Sequence, residues 1–390
     1  MKRIVDLFAG CGGLSLGFQD AGFDIVGAYE YWETAANCYE NNFNHPVFRD
    51  DLTDVKPAVE RIKSLSPDII IGGPPCQDFS HAGKRIEDER AALTEAFAEI
   101  VATISPRWFV MENVDRVQKS ATYSSARTIF KNAGYGLTEV LLDASRCGVP
   151  QRRKRFFCIG SVGAEDGFLS DYIEQNLSEK ETSIRDYFGS SLDVEYYYRH
   201  PRNYSRRAIY SIDEPSPTVR GMNRPVPPGY PGHPNDAKDI DGSVRPLTTL
   251  ERALIQTFPA NFKWSGNKTD MEQMIGNAVP VKLAEFVANA LAHHIDAIEN
   301  PAQSTVEYSL FSDWLSHEHV LSERTQRDTI SRLRRADSIC AVPLKPEAYY
   351  AFTLEQSEEY RSLTPTVKSQ LKRAVALYSD YKKATIAASG

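Results

Sequence analysis

A cysteine lodged in a proline turn is the first feature of this chain that could do chemistry. Gly72-Gly73-Pro74-Pro75-Cys76-Gln77 follows a β-branched run, Asp68 to Ile71, that reads as a strand. A structural cysteine is usually a small apolar core residue, whereas one held on a rigid turn among polar neighbours suits a reactive thiolate. The six cysteines, Cys11, Cys38, Cys76, Cys147, Cys158 and Cys340, are scattered with no Cys-x-x-Cys pair, which argues against a disulfide framework and against a zinc site.

A second chemical feature opens the chain. Phe8-Ala9-Gly10-Cys11-Gly12-Gly13 directly follows the run Ile4 to Phe8 and opens a helix near Leu14 to Asp20. Glycine in such a turn lets backbone approach a ligand, although the spacing departs from the dinucleotide fingerprint. Acids end the next two strands: Glu30 is suited to ribose hydroxyls, and Asp51 to an adenine amino group. An adenosyl compound fits all three, and the lack of a Gly-Lys-Ser/Thr phosphate loop favours a nucleoside carrier over a triphosphate. The plainer alternative is a tight strand-to-helix connection without a ligand.

Charge is uneven along the chain. The net charge of −7 averages over faces that never meet a ligand, but from Arg199 to Arg224 six arginines stand against two acids, interleaved with Tyr204 and Tyr210. Gln151-Arg-Arg-Lys-Arg155 is a second basic cluster. On charge alone a solvated surface and a phosphate contact are both open. No apolar run approaches membrane-spanning length and no signal peptide precedes the first strand, so a cytoplasmic location is expected.

The elements that must position these residues follow a strand-helix rhythm. Strand-like runs recur at Asp24 to Ala28, Val47-Phe48, Asp68 to Ile71, Trp108 to Met111, Leu137 to Leu142 and Phe156 to Ile159. Helical stretches such as Thr34 to Asn41, Leu93 to Ile104 and Ser124 to Asn132 separate them. The alternation predicts a doubly wound parallel sheet with ligands at the carboxyl ends of its strands. From Val162 to Asp241 the rhythm gives way to Tyr, Arg, Pro and Gly, which predicts a loop-built second domain. Helices return at Thr248 to Thr257 and Val281 to His294. Asn300 to Thr305 reads as a linker, and Tyr308 to Lys383 as a final helical tract.

Taken in order, these motifs resemble those of the DNA cytosine-5 methyltransferases of the prokaryotic restriction-modification type. The resemblance rests on Asp6-Leu-Phe-Ala-Gly-Cys-Gly-Gly-Leu14, Pro75-Cys76-Gln77, Glu112-Asn113-Val114 and Gln151-Arg152-Arg153-Lys154-Arg155. Arg245 to Arg252 with Gln256-Thr-Phe-Pro259, and Gly276-Asn-Ala-Val-Pro280, complete the set. It covers residue 3 to about 295. It implies an α/β, doubly wound, Rossmann-like S-adenosylmethionine-dependent methyltransferase domain (1–161, rejoined by 271–299) and a smaller, loop-rich target-recognition domain (162–270); beyond it the chain's own pattern predicts a helical C-terminal extension (304–390).

The same resemblance implies roles. Cys76 would attack carbon 6 of a cytosine, Glu112 would protonate or hydrogen-bond ring nitrogen 3, and Arg155 would donate to the base's carbonyl oxygen. Arg153 would hold the catalytic turn or a phosphate, with Gln151 in support. Phe8, Ala9, Gly10, Gly12, Leu14, Glu30, Tyr31, Asp51, Leu52, Pro75 and Asn277 would form the cofactor pocket, releasing S-adenosylhomocysteine, with no metal. Tyr31 stands where the family often places Trp. The target base must be flipped out of double-stranded DNA, and Gln77 to Glu89 resembles the loop that closes behind it, with Gln77, Ser80, Lys84 and Arg85 contacting DNA. Pro215-Ser-Pro-Thr-Val-Arg-Gly221 resembles the recognition segment, with Thr218, Arg220 and Arg224 reading a short GC-rich palindrome.

The tail from about Ser304 lies outside the family pattern. Its apolar spacing predicts a small helical packing module, and a resemblance to the helical core-binding domains of recombinases implies extra DNA contact. A monomer on DNA, paired in function with a cognate restriction endonuclease and not bound to a membrane, is the expected state. Two alternatives are weighed: a tRNA cytosine-5 methyltransferase, and a catalytically silent DNA-binding regulator. Residues 160–260 lack the Cys-Phe-Thr block of the tRNA branch, and intact Cys76, Glu112 and Arg155 argue against silence.

Overall fold

The computed structural model describes residues 1–75, 84–203, 205–299, 308–318, 321–340, 354 and 357–387, with backbone alone at 84–92, 358 and 386–387. Strand and helix alternate through β1 (Arg3–Leu7), α1 (Gly13–Asp20), β2 (Asp24–Tyr29), α2 (Glu33–Glu40), β3 (Val47–Phe48), α3 (Val55–Ser64), β4 (Ile69–Gly72), α4 (Lys84–Ile104), β5 (Trp108–Val114), α5 (Ala121–Asn132) and β6 (Tyr135–Asp143). A short connection through β7 (Gln151–Arg152) then leads into β8 (Lys154–Val162). The main sheet is seven-stranded, in the order β3-β2-β1-β4-β5-β8-β6.

The rhythm predicts an all-parallel sheet, and here the structure corrects it: β8 runs antiparallel to both β5 and β6. A parallel return requires a crossover helix, and between β6 and β8 the chain makes only a short connection. Along β1, Val5 and Leu7 face one side with Ile70 of β4 and Phe109 and Met111 of β5; there they bury against Val59 and Ile62 of α3, Phe97 and Val101 of α4 and Phe130 of α5. This packing fixes the carboxyl ends of β1, β4 and β5 side by side.

The stretch expected to be loop-built contains short elements: α6 (Ser170–Asn176), α7 (Ile184–Phe188), β9 (Tyr196–Tyr198), β10 (Ile209–Ser211), β11 (Ser216–Pro217) and β12 (Arg245–Pro246). β9 pairs with β10 and β12 in a three-stranded sheet, while β11 pairs with β7. The chain then forms α8 (Thr249–Ile255), α9 (Lys268–Asn277) and α10 (Val281–Glu299). Reciprocal caps start α8 (Thr248 with Glu251) and α9 (Asn267 with Asp270).

The chain divides into two compact units, Met1–Ala292 and His293–Gly390. In the second, the expected single helical tract is broken into α11 (Tyr308–Glu318), α12 (Glu323–Ile339), α13 (Glu358–Arg361) and α14 (Pro365–Ala387). Ser322 caps α12 and Pro365 occupies the first position of α14, a residue suited to starting a helix and not to continuing one. These helices share a core of Phe311, Leu315, Leu333, Leu371, Val375 and Tyr378. The expected linker, 300–305, lies outside the described residues. Among the described residues no helix is long and apolar enough to cross a membrane.

Candidate active site

The glycine turn is shaped by backbone geometry and by close packing. Phe8 has φ +61° and Gly10 φ +57°, in the left-handed region where a side chain is disfavoured. Nothing would meet a Cβ at Gly10, so open space lies in front of it, whereas a Cβ at Gly13 would collide with the Val279 carbonyl. The segment Gly276 to Pro280 is thereby seated on the start of α1. Leu14 is buried through its side chain, and its amide lies in the first helical turn, where no intrahelical acceptor exists.

Glu30, at the end of β2, clamps the turn: Oε2 accepts from the Gly10 amide at 2.7 Å and Oε1 from the Trp32 amide at 2.7 Å. Burial raises its pKa, and the two amides oppose the rise. Tyr31 beside it is 71% exposed, while Leu52 and Ala9 are buried. Asp51 accepts from the Thr53 amide and hydroxyl at 2.9 and 2.7 Å. Asn277 is exposed at the end of α9. Beneath the turn Asp6 is fully buried; Ser15 Oγ donates to it at 2.6 Å, and Tyr39 Oη donates to Ser15 Oγ at 2.6 Å. Burial, reinforced by Glu30, lifts the Asp6 carboxyl to about 7 against the Ser15 hydrogen bond.

β4 lies between β1 and β5, so the proline turn emerges between the glycine turn and Glu112. Asn113 Nδ2 donates to the Pro74 carbonyl at 2.9 Å. A Cβ on Gly73 would lie 3.0 Å from Glu112 Oε2, so glycine there gives the carboxylate room. Glu112 is 8% exposed, and Arg155 Nε stands 2.9 Å from its Oε1. Burial raises the Glu112 pKa, and the Arg155 and Arg153 guanidinium groups pull it down in part. Pro75 is exposed; Cys76, Gln77 and Ser80 lie outside the described residues. Lys84 and Arg85 begin α4, so the carboxyl end of the expected loop is helical, consistent with the helix formers from Ile86 to Ala92. Among the described cysteines Cys11, Cys38, Cys147 and Cys158 are buried and desolvation pushes each thiol up, leaving them inert at neutral pH.

Behind the carboxylate, Arg153 is 1% exposed and donates to the carbonyls of Val219 (2.9 Å), Gly276 (2.8 Å) and Ala278 (3.1 Å). It holds backbone, and buried there it reaches no phosphate. Gln151 Nε2 donates to Gln256 Oε1 at 2.7 Å, and its Oε1 accepts from the Val219 amide at 2.8 Å.

The expected recognition segment is anchored along its length. Thr218 Oγ1 donates to the Arg152 carbonyl at 2.8 Å, and Arg199 donates to the Thr218 carbonyl at 2.8 Å. Arg252 of α8 donates to the carbonyls of Arg220 and Met222 and forms a buried ion pair with Glu272 of α9. Glu272 Oε1 also accepts from Thr249 Oγ1 at 2.7 Å and Asn223 Nδ2 at 3.3 Å. Arg220 donates to the His200 carbonyl and shares a small cavity with Arg199 and Arg224; burial and the neighbouring arginines Arg199 and Arg202 bring its pKa down to about 10. Sequence reasoning placed Arg199 in the basic run and Arg252 and Gln256 in a family block without giving them a role, and it missed Glu272.

Comparison with known proteins places the chain in a family. The family model described as C-5 cytosine-specific DNA methylase matches residues 2–293. The type II methyltransferase M.HindV of Haemophilus influenzae is 58% identical over 291 residues, covering 74% of this chain and 96% of that protein. M.HgiDI of Herpetosiphon aurantiacus, also a type II methyltransferase, is 54% identical over 295 residues, covering 75% and 95%. Among solved structures, the Dnmt2 methyltransferase of S. pombe superposes with a TM-score of 0.57 at 18% identity, covering 76% of this chain and 99% of that one. A family model that spans the first unit, and relatives more than half identical along nearly their whole length, establish that this chain belongs to the C-5 cytosine-specific DNA methylase family.

Proposed function

We propose that this chain is a type II modification enzyme that moves a methyl group from S-adenosylmethionine to carbon 5 of a cytosine flipped out of a short duplex site. Residues 1–161 and 271–299 act as its Rossmann-like catalytic domain and 162–270 as its target-recognition domain. One observation carries the reading: the buried Glu112–Arg155 pair stands against Gly73, on the turn that leads to Cys76, at the sheet edge shared with the glycine turn.

The residues at the glycine turn fit an adenosyl sulfonium. Gly10 leaves open space for it, and each Glu30 oxygen, already accepting one amide, keeps a lone pair for a ribose hydroxyl. Phe8 and Tyr31 offer aromatic faces, Asp51 an acceptor for the adenine amino group, and Leu52, Pro75 and Asn277 complete the walls. When bound, the cofactor supplies an electrophilic methyl group and leaves as S-adenosylhomocysteine.

Cytosine carbon 5 is too weak a nucleophile unaided. Cys76 thiolate adds to carbon 6 and pushes electron density onto carbon 5, while Glu112 delivers or shares a proton at ring nitrogen 3 and Arg155 donates to the carbonyl oxygen. Loss of the carbon 5 proton to a water then expels the thiolate. Arg153 and Gln151 keep the surrounding backbone in place. Gln77, Ser80, Lys84 and Arg85 close on the flipped strand, and Thr218, Arg220 and Arg224 face a GC-rich palindrome. The enzyme works as a monomer on DNA and protects sites from a cognate endonuclease.

A duplex containing 5-fluorocytosine tests the chemistry, since fluorine cannot leave as a proton does. A denaturant-resistant adduct is expected with the unaltered chain and none with Cys76→Ser. An adduct that survives that substitution overturns the reading.

A further inference from the structure

The basic run from Arg199 to Arg224 holds more cations than the proposed function uses, and they gather around one cavity. Its volume is about 390 Å³, and Arg199, His200, Arg220, Arg224 and Arg252 line it together with Asn223. Among the described residues no acid lines it. Elsewhere between residues 162 and 270 arginine is matched by an acid: Arg185 pairs with Glu195 and Asp213, Arg207 with Glu214, and Arg245 with Glu251.

Two of the guanidinium groups hold each other's segments. Arg199, which follows β9, donates to the Thr218 carbonyl at 2.8 Å, and Arg220 donates back to the carbonyl of His200. Both are half-buried, so each is fixed by that bond while its planar fork keeps further N–H donors. Arg252 pairs with Glu272 and so spends its charge. Arg199, Arg202 and Arg224 all oppose the charge on Arg220. Like charges brought together cost free energy until an anion lies among them.

A guanidinium that reads sequence must reach a base edge in a groove of the duplex. Arg199 and Arg220 are turned back onto backbone carbonyls, so a group that projects from the duplex has to come to them. A backbone phosphate is such a group, and its oxygens match the guanidinium fork. Arg224 is exposed at the rim and is left for base edges. We infer that Arg199 and Arg220 form a seat for one backbone phosphate of the duplex, so that Arg220, expected from the sequence to read a base, sets the register of the DNA instead. Duplex DNA as the anion follows from the proposed function; the cavity, its charge and the mutual clasp do not depend on that reading.

Binding of the full chain to a duplex of A·T pairs alone tests the seat apart from methyl transfer, because that duplex offers no cytosine. Arg220→Gln keeps an N–H for the His200 carbonyl and removes the charge. The slope of log affinity against log salt is expected to fall by about 1, with affinity down roughly tenfold at low salt. Arg220→Lys keeps the charge and should keep the slope. Methylated cytosines mapped in genomic DNA from cells expressing Arg220→Gln should carry the same flanking sequence as with the unaltered chain, since a phosphate contact holds no sequence information. Should Arg220→Gln fail to fold, Arg199→Gln takes its place in both measurements with the same expectation. An unchanged slope overturns the inference, as does an equal slope loss in Arg220→Lys, or a relaxed flanking sequence in the glutamine variant, which would make the arginine a base reader. Failure of the 5-fluorocytosine trap would leave the salt slopes as they are, so the two readings fail separately.

Discussion

Arg155 Nε stands 2.9 Å from Glu112 Oε1, across the β5–β8 pairing that the short return from β6 makes antiparallel. The carboxylate and guanidinium thus come from neighbouring strands, not from a loop, and are set before any base arrives. Glu112→Gln keeps the shape and removes the proton. Methyl transfer is expected to fall by about 10²- to 10⁴-fold, measured as tritium release from carbon 5, with duplex affinity nearly unchanged. A rate within a few-fold of the unaltered chain would remove Glu112 from the chemistry.

Asn113 tethers the proline turn through the Pro74 carbonyl. In Asn113→Ala that buried carbonyl loses its donor, for a destabilisation of about 1 to 3 kcal/mol in urea unfolding. Because slight misplacement of a nucleophile slows chemistry steeply, turnover should drop by about 10- to 100-fold. Cofactor affinity, measured by calorimetry, should hold.

Asp6 makes the fold sensitive to pH. Its carboxyl is lifted to about 7 by burial, so the folded chain holds this proton more tightly than the unfolded chain does. The resulting stabilisation is fully present below the usual carboxyl range and is lost as pH rises through about 7, amounting to up to roughly 4 kcal/mol. Thermal melting between acidic and alkaline pH should show the unaltered chain losing stability relative to Asp6→Asn. Parallel profiles would refute this.

The Arg252–Glu272 pair is buried, so removing one partner strands a charge. Arg252→Met or Glu272→Leu should each cost about 3 to 5 kcal/mol, and the double replacement less than either single one. The pair also holds the Arg220 and Met222 carbonyls through Arg252. The double variant should therefore methylate near-cognate sites more often, read by mapping methylated cytosines in genomic DNA from cells expressing it.

The glycine and proline turns were legible because each is a local signal: a strand, a turn needing glycine or proline, then a helix. The strand alternation likewise located β1, β2, β4 and β5. The direction of β8 was not legible, because it depends on the length of a connection and not on the strand's own residues. α3 and α9 escaped notice: the apolar positions of α9, Met271, Met274 and Ile275, are few among polar ones. Arg153 read as a possible phosphate ligand because its partners Val219 and Gly276 lie 66 and 123 residues away. A buried arginine and a surface arginine look the same in one dimension.

Gly276 has a consequence for engineering. A Cβ there would strike the backbone of Arg220 and Gly221, so the two segments meet main chain to main chain. Segments transplanted from a relative would carry their own curvature into that contact. A graft bounded within 218–223 inherits a mismatched seat, whereas one that travels with α8 and α9 brings both halves of the joint.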